Sequence, residues 1–252
     1  MSEALLRALR RALPALEVRQ EEPLKNYTSF AIGGPAEVLL LPASAEELAS
    51  LCALLRALGE KPLLLGNGTN VLAPDEGLRG TVIVTRRASE MEKRGESIVA
   101  DCGASLTRIA AFAAEEGLTG LEFAYGIPGT LGGALIMNAG AYGGEMKDVT
   151  AKAEYLDGEL RRFSAAGEAL DFSYRHSRFG PEDVVLRAEL RLQPGEKEAI
   201  QARCRELTEK RRVSQPLEKP SAGSAFKRPA GGYAAAMIDQ AGLKAIPWGA
   251  PR

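Results

Sequence analysis

The sequence has one histidine, one tryptophan and three cysteines, Cys52, Cys102 and Cys204, which form no Cys-x-x-Cys or Cys/His cluster. A single histidine all but excludes histidine-based metal chemistry, and scattered, odd-numbered cysteines support neither a zinc site nor a disulfide framework. An excess of charge is missing too: 32 Lys and Arg face 33 Asp and Glu, for a formal charge of -1. So even a balance argues against nucleic acid or an anionic membrane as the main partner. Long hydrophobic runs are absent, and at the N-terminus Arg7, Arg10 and Arg11 interrupt MSEALLRALRRALPALE every few positions. That segment reads as an amphipathic surface helix within residues 1–20, neither a signal sequence nor a membrane span. No internal repeat or low-complexity tract is evident. The expectation is a soluble, cytoplasmic chain whose 252 residues make one large domain or two modest ones.

Glycine is what the sequence has in excess. There are 27, clustered, where average usage would give about 18. Strand-like and helix-like segments alternate around the clusters. Val38 to Leu41 is a short apolar run; Ser44 and Glu47 form a capping box before a helix with Leu48, Leu51, Leu55 and Leu58 on one face. Leu63 to Leu65, Val82 to Val84 and Ile98 to Ala100 read as strands, and Ser105 opens a helix that Gly117 stops. In the second half Asp157-Gly158 predicts a two-residue hairpin, and Val184 to Leu192 alternates as a half-buried strand. A charged helix from Glu196 to Val213 turns Ile200, Cys204 and Leu207 inward, after a boundary placed at Pro194-Gly195.

Four constellations could carry chemistry. Gly66-Asn67-Gly68-Thr69-Asn70 follows a strand and offers backbone amides to an anion. It lacks the Gly-Lys-Ser/Thr of a phosphate-binding P-loop, and Val71 stands where a dinucleotide fingerprint needs its third glycine. Alone, it is as readily a plain turn. Gly126 to Gly144 holds seven glycines in nineteen residues, in a stretch too apolar to be a linker. It suits a large planar ligand with a pyrophosphate, lined by Ile127, Leu131 and Met137, better than mere helix-on-sheet packing, which leaves Asn138 and Tyr142 unexplained. Tyr174-Arg175 could grip a carboxylate, although an isolated pair of this kind is more often a surface salt bridge. Ser224, in Ser221-Ala-Gly-Ser-Ala-Phe-Lys227, has no histidine to make it a nucleophile, yet its hydroxyl could protonate a nearby carbanion.

Together with Asn26-Tyr-Thr-Ser-Phe30 and Gly33-Gly34-Pro35, these segments come in one order from about Asn26 to Lys244. In that order they closely resemble the bacterial UDP-N-acetylenolpyruvoylglucosamine reductase (MurB) family. The resemblance implies an α+β fold: a flavin domain of the vanillyl-alcohol-oxidase (PCMH) type in two α+β subdomains over residues 21–194, then a smaller, incomplete α+β substrate domain over 195–252. It implies bound FAD held by Ile32, Gly33, Gly34, Gly66, Asn67, Gly68, Thr69, Asn70, Gly103, Ala104, Gly126, Ile127, Pro128, Gly129, Thr130, Gly132, Gly133, Ala134, Asn138, Gly140, Ala141 and Tyr142. Arg175 would stabilise developing charge, Ser224 would donate a proton, and Tyr174, Lys227 and Arg228 would hold a UDP-sugar substrate. The implied reaction is NADPH-dependent reduction of the enolpyruvyl ether of UDP-N-acetylglucosamine to UDP-N-acetylmuramate, a peptidoglycan precursor, by a monomer. After Lys244 the chain departs from the family pattern and reads Ala245-Ile-Pro247-Trp248-Gly-Ala-Pro-Arg252, without the family's final glutamate. The expectation from that departure is FAD binding with poor turnover. Another flavin oxidoreductase of the same fold, or a noncatalytic flavin-binding module, stay open as alternatives.

Overall fold

The computed structural model describes residues 3–215, 217–224, 226, 227, 229 and 231–243. Elements run in the order α1 (Glu3–Ala12), β1 (Glu17–Pro23), β2 (Pro35–Leu41), α2 (Ala45–Ala57), β3 (Leu63–Leu65), β4 (Leu78–Val84), β5 (Met91–Arg94), β6 (Ser97–Asp101) and α3 (Leu106–Glu115). After β7 (Leu118–Thr119) come α4 (Leu131–Ile136), β8 (Gly140–Ala141), β9 (Gly144–Glu145), α5 (Met146–Val149), β10 (Thr150–Leu156) and β11 (Arg162–Ala166). The chain then forms β12 (Val184–Arg191), β13 (Gln193–Pro194), α6 (Lys197–Ser214) and α7 (Ala234–Gln240). Residues 1–20 are thus not one helix: α1 ends at Ala12, and Glu17 already starts a strand.

Two sheets carry the fold. The first has the order β1-β2-β4-β3, with β1 antiparallel to β2 and with β3 and β2 parallel to β4. Its central strands are buried on both faces, which is why Val38 to Leu41 is apolar at every position rather than at every second one. Val38, Leu40 and Ile83 face the main core, while Leu39, Leu41, Val82 and Val84 pack with Leu24 and Tyr27 on the other side. The second sheet, β11-β10-β12-β6-β5, is antiparallel throughout. Helix α2 lies in the shared core and buries Leu48, Leu51, Cys52 and Leu55, its first turn capped by the Ser44 hydroxyl, which accepts from the Glu47 amide at 3.1 Å.

Asp157-Gly158 does not make a two-residue hairpin. Leu156 pairs with Arg162, so the loop holds five residues. The Asp157 carboxylate organises it by accepting from the amides of Glu159 and Arg161 at 2.9 Å each, with Leu160 at φ 60°. Helix α6 docks through Ile200, Cys204 and Leu207, the first two against Ala114 and Tyr125. Among the described residues, no helix is long and apolar enough to cross a membrane.

Candidate functional site

A cavity of about 760 Å³ opens between the two sheets. One wall is Leu63 to Gly66 at the end of β3, another is Thr130, Gly132, Gly133 and Ile136 on α4, and the third is Leu160 with Phe179 to Val185 leading into β12. The walls are largely apolar, the form expected around planar rings, and the volume falls within the usual range for cofactor sites. Cys52 and Cys102 also line it. Burial pushes their thiols up to about 11 and about 12, so neither is a thiolate nucleophile at neutral pH.

Three of the glycine-bearing segments meet at this cavity through backbone contacts. Gly132 donates to the Cys102 carbonyl at 2.8 Å, Leu131 to Ala104 at 2.9 Å, and Leu106 to Gly129 at 3.0 Å. The Asn67 amide group donates to the Pro128 carbonyl at 2.9 Å. A Cβ at Gly66 would sit 2.2 Å from Thr130 Oγ1, and one at Gly103 would sit 1.8 Å from the Thr85 carbonyl oxygen. These two glycines are demanded by protein packing. Gly133 differs: a Cβ there would find nothing nearer than Thr130 Oγ1 at 3.7 Å, and its open side gives onto the cavity. A cradle with apolar walls, small-residue loops and free space above Gly133 fits FAD.

Several expected residues are turned elsewhere. Leu131 and Ala134 are buried in the main core, and the Ala134 amide is used by the Thr130 carbonyl, so Ile136 takes the lining role foreseen for Leu131. A helix that buries one face of α4 must show the next to the cavity, and six residues are too few for the sequence to reveal which. Gly33 and Gly34 pack against Ala73 and the Asp75 carbonyl. Gly140 and Ala141 form β8, which returns as β9 through a tight turn with φ 54° at Tyr142 and 89° at Gly143. Such a turn needs positive φ at both central residues. Tyr142 accepts that strain, and its ring stays exposed with the Arg211 guanidinium 6.0 Å away.

Asn138 is 0% exposed, and its side chain is spent inside the protein. Its amide nitrogen donates to Glu145 Oε2 at 2.9 Å and to the Ser173 carbonyl at 3.1 Å, while its amide oxygen accepts from the Lys147 amide at 3.0 Å. Ser173 and His176 exchange two backbone hydrogen bonds of 3.1 Å, leaving Tyr174 and Arg175 at the tip of the turn. Arg175 has φ 55°, a conformation costing about 1–3 kcal/mol in a non-glycine residue. It stacks 5.1 Å over Tyr174 and donates to the Asn138 carbonyl at 3.4 Å. The short helix α4, about 9 Å long, thus joins the cavity wall at Thr130 to the Arg175 clamp at Asn138. His176 pairs with Asp171 on the surface at 3.0 Å.

Ser224 and Lys227 are exposed; Arg228 and residues 244–252 lie outside the described residues. The loop carrying Ser224 approaches the first glycine loop, with the Cβ position of Gly223 3.7 Å from the Thr69 carbonyl. Sequence reasoning missed Arg211, whose buried Nε lies 3.0 Å from the Cβ position of Gly126 and has no hydrogen-bond partner among the described residues. It also missed the wall role of Phe179 to Val185, which the sequence signals only through the Gly180-Pro181 turn and the strand beginning at Val184.

A family model described as an FAD binding domain matches residues 36–164, and one described as the C-terminal domain of UDP-N-acetylenolpyruvoylglucosamine reductase matches residues 215–251. The chain is similar to the UDP-N-acetylenolpyruvoylglucosamine reductase of Caldanaerobacter subterraneus subsp. tengcongensis, 46% identical over 245 residues, covering 97% of this chain and 81% of that protein. The Enterococcus faecalis protein of the same name is 44% identical over 248 residues, covering 96% and 81%. The crystal structure of the Thermus caldophilus enzyme (MurB) superposes with a TM-score of 0.78 at 36% identity, over 93% of this chain and 82% of that one. A berberine bridge enzyme variant, at 16% identity and a TM-score of 0.57 over 77% of this chain and 44% of that one, shares the fold alone. The chain belongs to the UDP-N-acetylenolpyruvoylglucosamine reductase family of FAD-dependent oxidoreductases.

Proposed function

We propose that this chain reduces the enolpyruvyl ether of UDP-N-acetylglucosamine to UDP-N-acetylmuramate in the cytoplasm, with NADPH as electron donor. In this reading residues 21–194 hold the flavin, chiefly through Gly66 to Asn70, Gly103 and Gly126 to Gly133, and residues 195–252 contribute an incomplete substrate domain. Bound FAD would supply the two-electron chemistry between NADPH and the substrate's carbon–carbon double bond.

The protein's own residues handle charge and proton. The double bond is conjugated to a carboxylate, so reduction at its terminal carbon builds negative charge on the adjacent carbon and the carboxylate. Arg175, always charged and planar, holds that carboxylate and stabilises the charge as it grows. The strained turn and the Asn138 carbonyl fix its guanidinium before substrate arrives. Ser224 then donates its hydroxyl proton to the adjacent carbon and recovers one from solvent. Serine is a poor acid in water; it suffices here because the carbanion is far more basic and held in contact. Tyr174, Lys227 and Arg228 hold the substrate's diphosphate or carboxylate.

The pre-set Arg175 turn, one short helix from the cavity, is the observation that carries this reading. Anaerobic half-reactions test it. In R175A, reoxidation of the reduced flavin by the enolpyruvyl substrate should slow by about 10²–10³, while bleaching by NADPH stays within about twofold. Reoxidation of R175A at the wild-type rate would remove Arg175 from the chemistry.

A further inference from the structure

We infer that Ser29 is a positioning residue that locks the proton-donor loop onto the first glycine loop. The inference rests on the role proposed above for Ser224. Ser29 sits where three distant segments meet. Its amide donates to the Gly68 carbonyl at 3.1 Å, within Gly66 to Asn70. Its hydroxyl donates to the Ser221 carbonyl at 2.6 Å, and its own carbonyl accepts from the Ser221 amide at 3.1 Å. The two serines, 192 residues apart in sequence, are thus joined in both directions. Beyond Ser221 the loop is closed by the Gly223 amide donating to Ser221 Oγ at 3.1 Å, which leads directly to Ser224.

Little else holds this loop. Leu217 and Phe226, the large apolar residues on either side of it, are 53% and 66% exposed. Among the described residues, every hydrogen bond from 217–224 to a distant part of the chain ends on Ser29. The glycine loop at the other side of the junction is firmly seated, since a Cβ at Gly68 would lie 2.1 Å from the Tyr27 carbonyl oxygen. Ser29 therefore transmits a fixed position from a rigid loop to a weakly anchored one. Proton donation by an alcohol depends on contact, and a displacement near 1 Å can cost about 10²-fold in rate. The backbone pair can form with any residue at position 29. The hydroxyl is what only serine or threonine adds.

S29A, S29T and S224A, each loaded with FAD, give the test, with S29V as the hydroxyl-free match for S29T should S29A be unstable. Hydrogen exchange of the amides in 217–224 should quicken about fivefold in S29A, the change that one hydrogen bond of ordinary strength controls, and return to wild type in S29T. Reoxidation by the enolpyruvyl substrate should slow about tenfold in S29A and recover in S29T, while bleaching by NADPH stays unchanged. Unchanged exchange in S29A, or faster exchange with wild-type reoxidation beside a slow S224A, overturns the inference. Wild-type reoxidation in S224A instead overturns the proton-donor role on which it rests.

Discussion

Replacing Asn138 with aspartate keeps the shape of the side chain and turns its two-proton donor into an oxygen. In the wild type that donor serves Glu145 Oε2 and the Ser173 carbonyl from a residue with no exposed surface. After the change, two acceptors face a third. The Ser173 carbonyl keeps the His176 amide as a donor, so losing the Asn138 bond to it costs about 0.5–1.5 kcal/mol. Two carboxylates in contact repel, and the Lys147 ammonium on Glu145 offsets only part of that, so the pair binds a proton more readily and its apparent pKa in the folded state rises above the unfolded value near 4. Holding that proton costs at most about 1.4 kcal/mol at pH 5 and about 4 kcal/mol at pH 7. The stability of N138D is therefore best below about pH 4 and falls as pH rises toward the raised folded pKa. For a chain of this size the extra loss between pH 5 and pH 7 lowers the melting temperature by about 5–10 °C. Thermal unfolding of the flavin-free wild type and variant across that range reads the difference directly. A gap between them that does not widen with pH would refute the contact between Asn138 and Glu145.

Three further substitutions separate packing glycines from cavity glycines and weigh one buried charge. G133A should fold with a melting temperature about 1–3 °C higher, because alanine favours a helix interior, yet bind FAD about tenfold more weakly in a flavin-fluorescence titration. G103A, whose Cβ would meet two backbone carbonyls, Thr85 and Ala88, at 1.8 and 2.6 Å, should lose more than about 3 kcal/mol, and a wild-type melting temperature would show the approach is not that close. Asp101 accepts from the Ala45 amide at 3.1 Å and pairs with Arg187 at 3.1 Å, but burial outweighs both and raises its pKa. Its contribution is then largest below pH ~4 and declines as pH rises, so the stability advantage of wild type over D101N should shrink as pH rises above ~4 in urea unfolding. An advantage that grows instead would mean that the Arg187 pair outweighs burial.

How much of this could be read from residue order depends on the length scale of each cue. The uniform apolar run Val38 to Leu41, the inward face of α6 and the capped helix α2 were readable because each spans enough positions to show its period or its end signal. Helix α4 has under two turns, so nothing in its sequence separates Leu131 and Ala134, which enter the core, from Gly133 and Ile136, which face the cavity. The loop after Asp157 departs from its dipeptide cue because that cue is local, whereas the Asp157 carboxylate bonds amides two and four residues on. Glycine clustering marked the right segments but mixed two causes, since Gly103 serves close backbone approach and Gly133 leaves space. Arg175 at positive φ and Ser29 against Ser221 have no sequence signature, because both depend on contacts made only after distant segments meet.

The second sheet also sets a timetable for making the protein. β6 pairs with β12, and the Asp101–Arg187 contact at that junction closes over 86 residues. A ribosome needs about 4–17 s to add that much chain. Through that interval Ile98 and Ala100, buried in the finished protein, have no strand from the C-terminal side to cover them. The cavity waits as well, because one wall is made at Leu63 to Leu65 and another only at Phe179 to Val185. A ligand that needs all of these walls therefore binds only after residue 185 has been made, and until β12 arrives the edge of β6 is open to wrong pairing.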